Sequence, residues 1–125
     1  MLKIFYVGIG GFVGAAARYV SSGLVHRSIG SGNFPYGTLF VNVAGCLLIG
    51  FFAGYSEARH FLKPEIRLFL LIGVLGSFTT FSTFGYEVFS FARDGEFLSA
   101  SLNVFVHLLL GLLGVYLGYF LSKLA

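Results

Sequence analysis

Four long apolar runs, each closed by a short polar stretch, set the plan of this chain. The first covers residues 2–24 and ends at the polar, glycine-rich stretch 26–35, which reads as a loop. The second covers 36–55 and is followed by a charged connection, 56–65, in which Pro64 suits the first turn of a new helix. The third covers 66–91, the tight polar turn Arg93-Asp94-Gly95-Glu96 follows, and the fourth covers 97–121. Crossing the hydrocarbon core takes about 20 mostly apolar residues per helix. The pattern therefore predicts an all-α integral membrane protein: one membrane domain, residues 1–125, with four transmembrane helices over 2–24, 36–55, 66–91 and 97–121. The first run is longer than the apolar core of a signal peptide and lacks a small-residue cleavage site, so it reads as a span that is retained.

Composition agrees with a lipid solvent. Of 125 residues, 57% are hydrophobic and 10% are charged, against roughly half and a quarter in soluble domains. The net charge of +3 raises the question of a nucleic-acid partner, but the eight basic residues stand singly between apolar runs, and no basic face forms. They read as loop anchors. Lys3, Arg59, Lys63, Arg67 and Lys123 fall on the side of the N-terminus and Arg18, Arg27 and Arg93 on the other, a lean towards a cytoplasmic N-terminus. Cys46 is the only cysteine, so an intrachain disulfide is excluded, and it reads as a small buried residue. Among 18 glycines, GxxxG spacing recurs at Gly10/Gly14, Gly50/Gly54 and Gly114/Gly118. Small residues let membrane helices approach closely, so helices one, two and four are expected to pack through these faces.

Polar groups at membrane depth are costly, and they mark where function is to be sought. Thr38, Asn42 and Cys46 share one face of the second helix at i, i+4 spacing; Ser99, Asn103 and His107 do the same in the fourth, with Gly111 next. The third run holds two glycines and a cluster of hydroxyls at its middle, Gly73-Val74-Leu75-Gly76-Ser77-Phe78-Thr79-Thr80-Phe81-Ser82-Thr83-Phe84-Gly85, with Glu87 beyond. Such residues weaken a helix, which predicts a break between 76 and 80, with carbonyl oxygens freed to hold a small cation. Downstream, Phe81 and Phe84 share one face and Thr80, Thr83 and Glu87 another. The positive edge of a phenylalanine ring can meet an anion without a full charge. With Asn42 and the hydroxyls as donors, the arrangement suits a path for a small, strongly hydrated anion.

Each group also has a plainer reading. The phenylalanine pair fits ordinary packing, Asn42 fits an interhelical hydrogen bond of about 1 kcal/mol, and His107 fits a satisfied interior residue. Glu87 fits a pair with Arg18 or a vestibule cap. Polar stripes on three of four helices are more than four short helices can wrap, which predicts an oligomer with shared crevices.

Along essentially its whole length the chain resembles the Fluc (CrcB) family of fluoride channels. The resemblance rests on Gly10-Gly11-Phe12-Val13-Gly14-Ala15-Ala16-Ala17-Arg18-Tyr19, on Gly37-Thr38-Leu39-Phe40-Val41-Asn42-Val43-Ala44-Gly45, and on the stretch from Gly73 to Phe84 quoted above. It implies an antiparallel, dual-topology homodimer in the bacterial inner membrane, in contact with lipid. It also implies two fluoride pores, a break in the third helix and a central sodium ion held by backbone carbonyls. Carried over by position, Gly76 and Thr79 would hold sodium, Phe81 and Phe84 would line the pore, and Asn42 would be the pore asparagine. Thr38, Ser82 and Thr83 would be polar neighbours, Arg18 the vestibule arginine, and Asn103 and His107 part of the fourth helix's polar track. Gly111 stands where some members carry a serine, and the lean in basic residues departs from the balance that dual insertion favours.

The runner-up is a proton-coupled transporter of the small multidrug type, also four helices long. Such proteins place a carboxylate in the first helix, whereas residues 2–24 contain none, and Glu87 is the one acid inside a span. No catalytic set or metal-ligand cluster is legible, so an enzyme is not expected. A purely structural membrane subunit would leave the hydroxyls and phenylalanines around a helix break without a purpose.

Overall fold

Apolar runs this long are satisfied only by helices, because in hydrocarbon every backbone polar group must find its partner within the segment. The computed structural model describes residues 1–29, 32–59 and 63–125. Its elements are α1 (Leu2–Ile29), α2 (Tyr36–Arg59), α3 (Pro64–Arg67), a π-helical segment (Leu68–Leu75), α4 (Gly76–Phe78), α5 (Phe81–Arg93) and α6 (Phe97–Leu124). Among the described residues, four stretches are long and apolar enough to cross a membrane: Leu2–Ile29, Tyr36–Glu57, Pro64–Arg93 and Phe97–Leu124.

Helix α1 runs on through His26 and Arg27 to Ile29, into the stretch the sequence assigns to a loop. Two basic residues in the last turn face the negative end of the helix dipole, which favours the extension. The rest of that stretch includes residues 30 and 31, and the second connection includes residues 60–62; both sets lie outside the described residues. Pro64 opens α3 at its first position, where its missing N–H costs nothing. Between α5 and α6, Gly95 takes φ 81°, a left-handed turn in which a glycine carries no Cβ penalty.

Two glycine seams build the bundle. On the first, α1 lies against the π segment: a Cβ on Gly14 would be driven into the carbonyl of Val74, and one on Gly73 would meet Gly10 Cα at 2.8 Å. On the second, α2 lies against α6: a Cβ on Gly118 would strike the Leu47 carbonyl, and one on Gly50 the Val115 carbonyl. In both seams the contacts advance in the same direction along the two chains, so the first and third spans run parallel, as do the second and fourth. The sequence marks the glycines of helices one, two and four but leaves open that α1 pairs with the third span. Few apolar side chains are buried among the described residues; Val41, Leu75 and Ala100 are, while most leucines and phenylalanines face outward, as a lipid solvent requires.

Candidate functional site

Between α4 and α5 the backbone is extended for two residues, Thr79 (φ −84°, ψ 159°) and Thr80 (φ −149°, ψ 111°). Extended residues inside a span leave backbone groups without helical partners, and side chains take over here. Thr80 N–H donates to Asn42 Oδ1 at 2.8 Å, and Asn42 Nδ2 donates to the Thr80 carbonyl at 3.2 Å. In an unbroken helix Thr80 N–H would bond the Gly76 carbonyl, and Thr83 N–H the Thr79 carbonyl. Instead Thr83 N–H goes to Thr80 Oγ1 at 3.3 Å. Both carbonyls singled out for a cation, those of Gly76 and Thr79, thus lose their helical donors to side-chain oxygens.

The hydroxyl cluster is largely occupied with its own backbone. Thr80 is the N-cap of α5, its Oγ1 lying 2.9 Å from Thr83 Oγ1 and 3.4 Å from Ser82 Oγ. Thr79 Oγ1 donates to the Leu75 carbonyl at 3.2 Å. Gly45 is a further member of the site that the sequence did not single out for a role: a Cβ there would run into Thr79 Cγ2, so glycine lets α2 close on the extended pair. Its position, three residues after Asn42 on the same face, was the available signal.

Beside the extended pair is a groove of about 310 Å3 whose lining includes Asn42, Gly76, Thr79, Phe81, Phe84 and His107. Phe81 is 83% exposed although it sits at mid-span. The rings of Phe81 and Phe84 are 5.7 Å apart, tilted by 52°, and Phe84 lies 4.5 Å from the His107 ring. His107 Nδ1 is 3.0 Å from the Asn103 carbonyl. Asn103 is fully buried, and neither of its side-chain polar atoms has a partner; His107 Nε2 is likewise buried and unpartnered. Ser99, first on that stripe, turns away and donates to Glu96 at 3.1 Å.

A second cavity, about 630 Å3, lies towards the end of the bundle where α1 closes; Tyr19, His26, Arg27, Asn33, Thr38 and Glu87 are in its wall. Thr38 Oγ1 donates to Glu87 Oε1, and Glu87 Oε2 is buried without a partner. Among the described residues the one ion pair is Arg93 with Asp94, so the pairing of Glu87 with Arg18 is not formed. Arg18 is half-buried and is not among the residues lining this cavity, whereas Arg27 is.

Residues 5–119 match the family described as CrcB-like protein, Camphor Resistance (CrcB). Among similar proteins, the fluoride-specific ion channel FluC of Chlorobium phaeobacteroides (strain BS1) is 47% identical over 97% of this chain and 93% of its own. The fluoride-specific ion channel FluC 3 of Methanosarcina barkeri (strain Fusaro / DSM 804) is 44% identical over 94% and 88%. The FluC protein of Geobacter metallireducens (strain ATCC 53774 / DSM 7210 / GS-15) is 43% identical over 98% of both chains. With a family match across nearly all of its length and relatives this similar, the chain belongs to the CrcB family.

Proposed function

We propose that this protein is a fluoride-selective, passive ion channel that lets cytoplasmic fluoride leave the cell. The observation that carries this reading is the groove: an asparagine amide, two phenylalanine rings and an imidazole line an opening on the outer face of the bundle, and Phe81 is 83% exposed there. A half-polar wall is costly against lipid, and a second copy of the chain would close it. We assign that role to an antiparallel, dual-topology homodimer in the bacterial inner membrane, with a fluoride pore along each groove.

Fluoride enters from a vestibule near Arg18 and Asn42, passes the edges of Phe81 and Phe84, and leaves past Ser82, Thr83 and the Asn103/His107 track. Weak donors and ring edges replace its water shell without a lysine or arginine to trap it. Thr38 sits at the vestibule end, on Glu87. A sodium ion at the dimer centre fits the Gly76 and Thr79 carbonyls, because their helical donors are diverted to Asn42 and Thr80. Bound there, the cation would supply a positive charge that rigidifies the extended pair; sodium suits hard, neutral carbonyl oxygens. The task served is export of fluoride that enters as the neutral acid and dissociates inside.

Proton-coupled export of organic cations finds no support: relatives across the full chain carry the name fluoride-specific ion channel, and Glu87 is engaged by Thr38. The test is halide efflux from liposomes holding the purified protein, with fluoride compared to chloride under a potassium gradient clamped by valinomycin. Rapid fluoride release without chloride release is expected. No fluoride release from folded protein would overturn the reading.

A further inference from the structure

His107 stands in the wall of the groove with the wrong polarity for an anion. A carbonyl oxygen can only accept, so the 3.0 Å contact with the Asn103 carbonyl places the proton on Nδ1. In the neutral ring Nε2 then carries a lone pair, which repels fluoride. Nε2 is nevertheless buried without a partner, on a residue only 9% exposed. One turn earlier, the Asn103 amide is buried and equally unpartnered. Buried polar atoms in this number call for an occupant.

Resting on the channel reading above, we infer that His107 is a proton-linked fluoride site: Nε2 takes up one proton, and its N–H then donates to a fluoride ion bound beside it. The balance is neutral imidazole, one proton and one fluoride giving an imidazolium–fluoride pair of no net charge, with no bond broken. Neither ion is held well alone. A buried imidazolium without its anion is costly, and fluoride without the proton faces a lone pair. Phe84, 4.5 Å away and tilted by 42°, gives the imidazolium an aromatic face. The other ionisable groups on this region are Cys46, on the α2 wall of the groove, and Glu87, which reaches from α5 to Thr38. Among the described residues no lysine or arginine lines the groove to do the same work without a proton.

Linkage fixes the sign. Fluoride affinity at this site falls with rising pH, approaching about tenfold per unit above the imidazole's titration range. Fluoride efflux from liposomes, corrected for protein-free liposomes, is expected to be roughly tenfold slower at about pH 8 than at about pH 6. The slope should vanish in His107→Asn and His107→Gln and survive in Glu87→Gln. A flat wild-type profile, or a slope that persists in both His107 variants, overturns the proposal. A second readout needs no conduction and no variant: calorimetric titration of the detergent-solubilised protein with fluoride, in buffers of different ionisation enthalpy. Uptake of about one proton per bound fluoride near pH 8 is expected, and binding without uptake overturns the site. Absence of flux at every pH would sink the channel reading, whereas flux without proton uptake would sink the His107 site alone.

Discussion

The Asn42 side chain and the Thr80 backbone bond each other in both directions, N–H to Oδ1 at 2.8 Å and Nδ2–H to carbonyl at 3.2 Å. An asparagine amide here does what a neighbouring strand would do for an extended residue. It satisfies the N–H that the helix gave up and adds a second donor to the carbonyl that opens α5.

Removing that amide should therefore unsettle the third span as well as the groove. Asn42→Leu orphans the buried Thr80 N–H, at about 1–3 kcal/mol, and takes a second donor from the Thr80 carbonyl, which still accepts the first bond of α5. Thermal unfolding in detergent should show a clear drop in midpoint together with loss of fluoride efflux. Unchanged stability would mean that the pairing is not what holds Thr80.

The phenylalanines are expected to act on conduction and not on folding. Phe81 is exposed and Phe84 half-buried, so Phe81→Ile and Phe84→Ile each leave the bundle nearly intact. Efflux of fluoride should be abolished in both while size-exclusion behaviour stays that of the parent protein. Full flux in both variants would remove the ring edges from the path.

Steric tests separate the seams from the helices that carry them. Gly14→Ala puts a methyl into the Val74 carbonyl, backbone against backbone, where no rotamer can relieve it. Overpacking of this kind costs about 3 kcal/mol, so little folded protein should be recovered. Gly8→Ala, on the same helix with nothing within 4 Å of the added carbon, should be neutral or slightly stabilising. Equal behaviour of the two would contradict the seam.

Exchanging sodium for a bulky organic cation probes the Gly76 and Thr79 carbonyls. Loss of efflux and a lower unfolding midpoint are expected, restored by returning sodium. Indifference to the exchange would leave those carbonyls without a ligand.

Much of this was legible in the chain, and the gaps have physical causes. Apolar runs announce spans because lipid permits little else, and the hydroxyl-rich stretch from Gly76 to Thr83 marks the weak point of the third. What that stretch does with its hydroxyls was not legible. The sequence offers them to an ion, whereas Thr80 caps α5 and Thr79 bonds Leu75. Asn42 shows its face at i, i+4 spacing with Thr38 and Cys46, but a partner 38 residues away depends on how α2 is rotated against the third span. The π segment left no trace, since Leu68–Leu75 is apolar on every side and a residue more per turn shifts no pattern. Glu87 was open to Arg18 or to a cap, and packing of α2 on α5 chose Thr38.

The extended pair Thr79–Thr80 also rearranges the electric field of its span. An unbroken helix of that length would carry its opposite poles at the two membrane surfaces, where water and headgroups damp them. Interrupted at mid-depth, it sets the negative pole of the upstream segment and the positive pole of α5 within two residues of each other, far from solvent. A short piece of uncharged backbone thereby brings a negative and a positive helix end face to face inside the span.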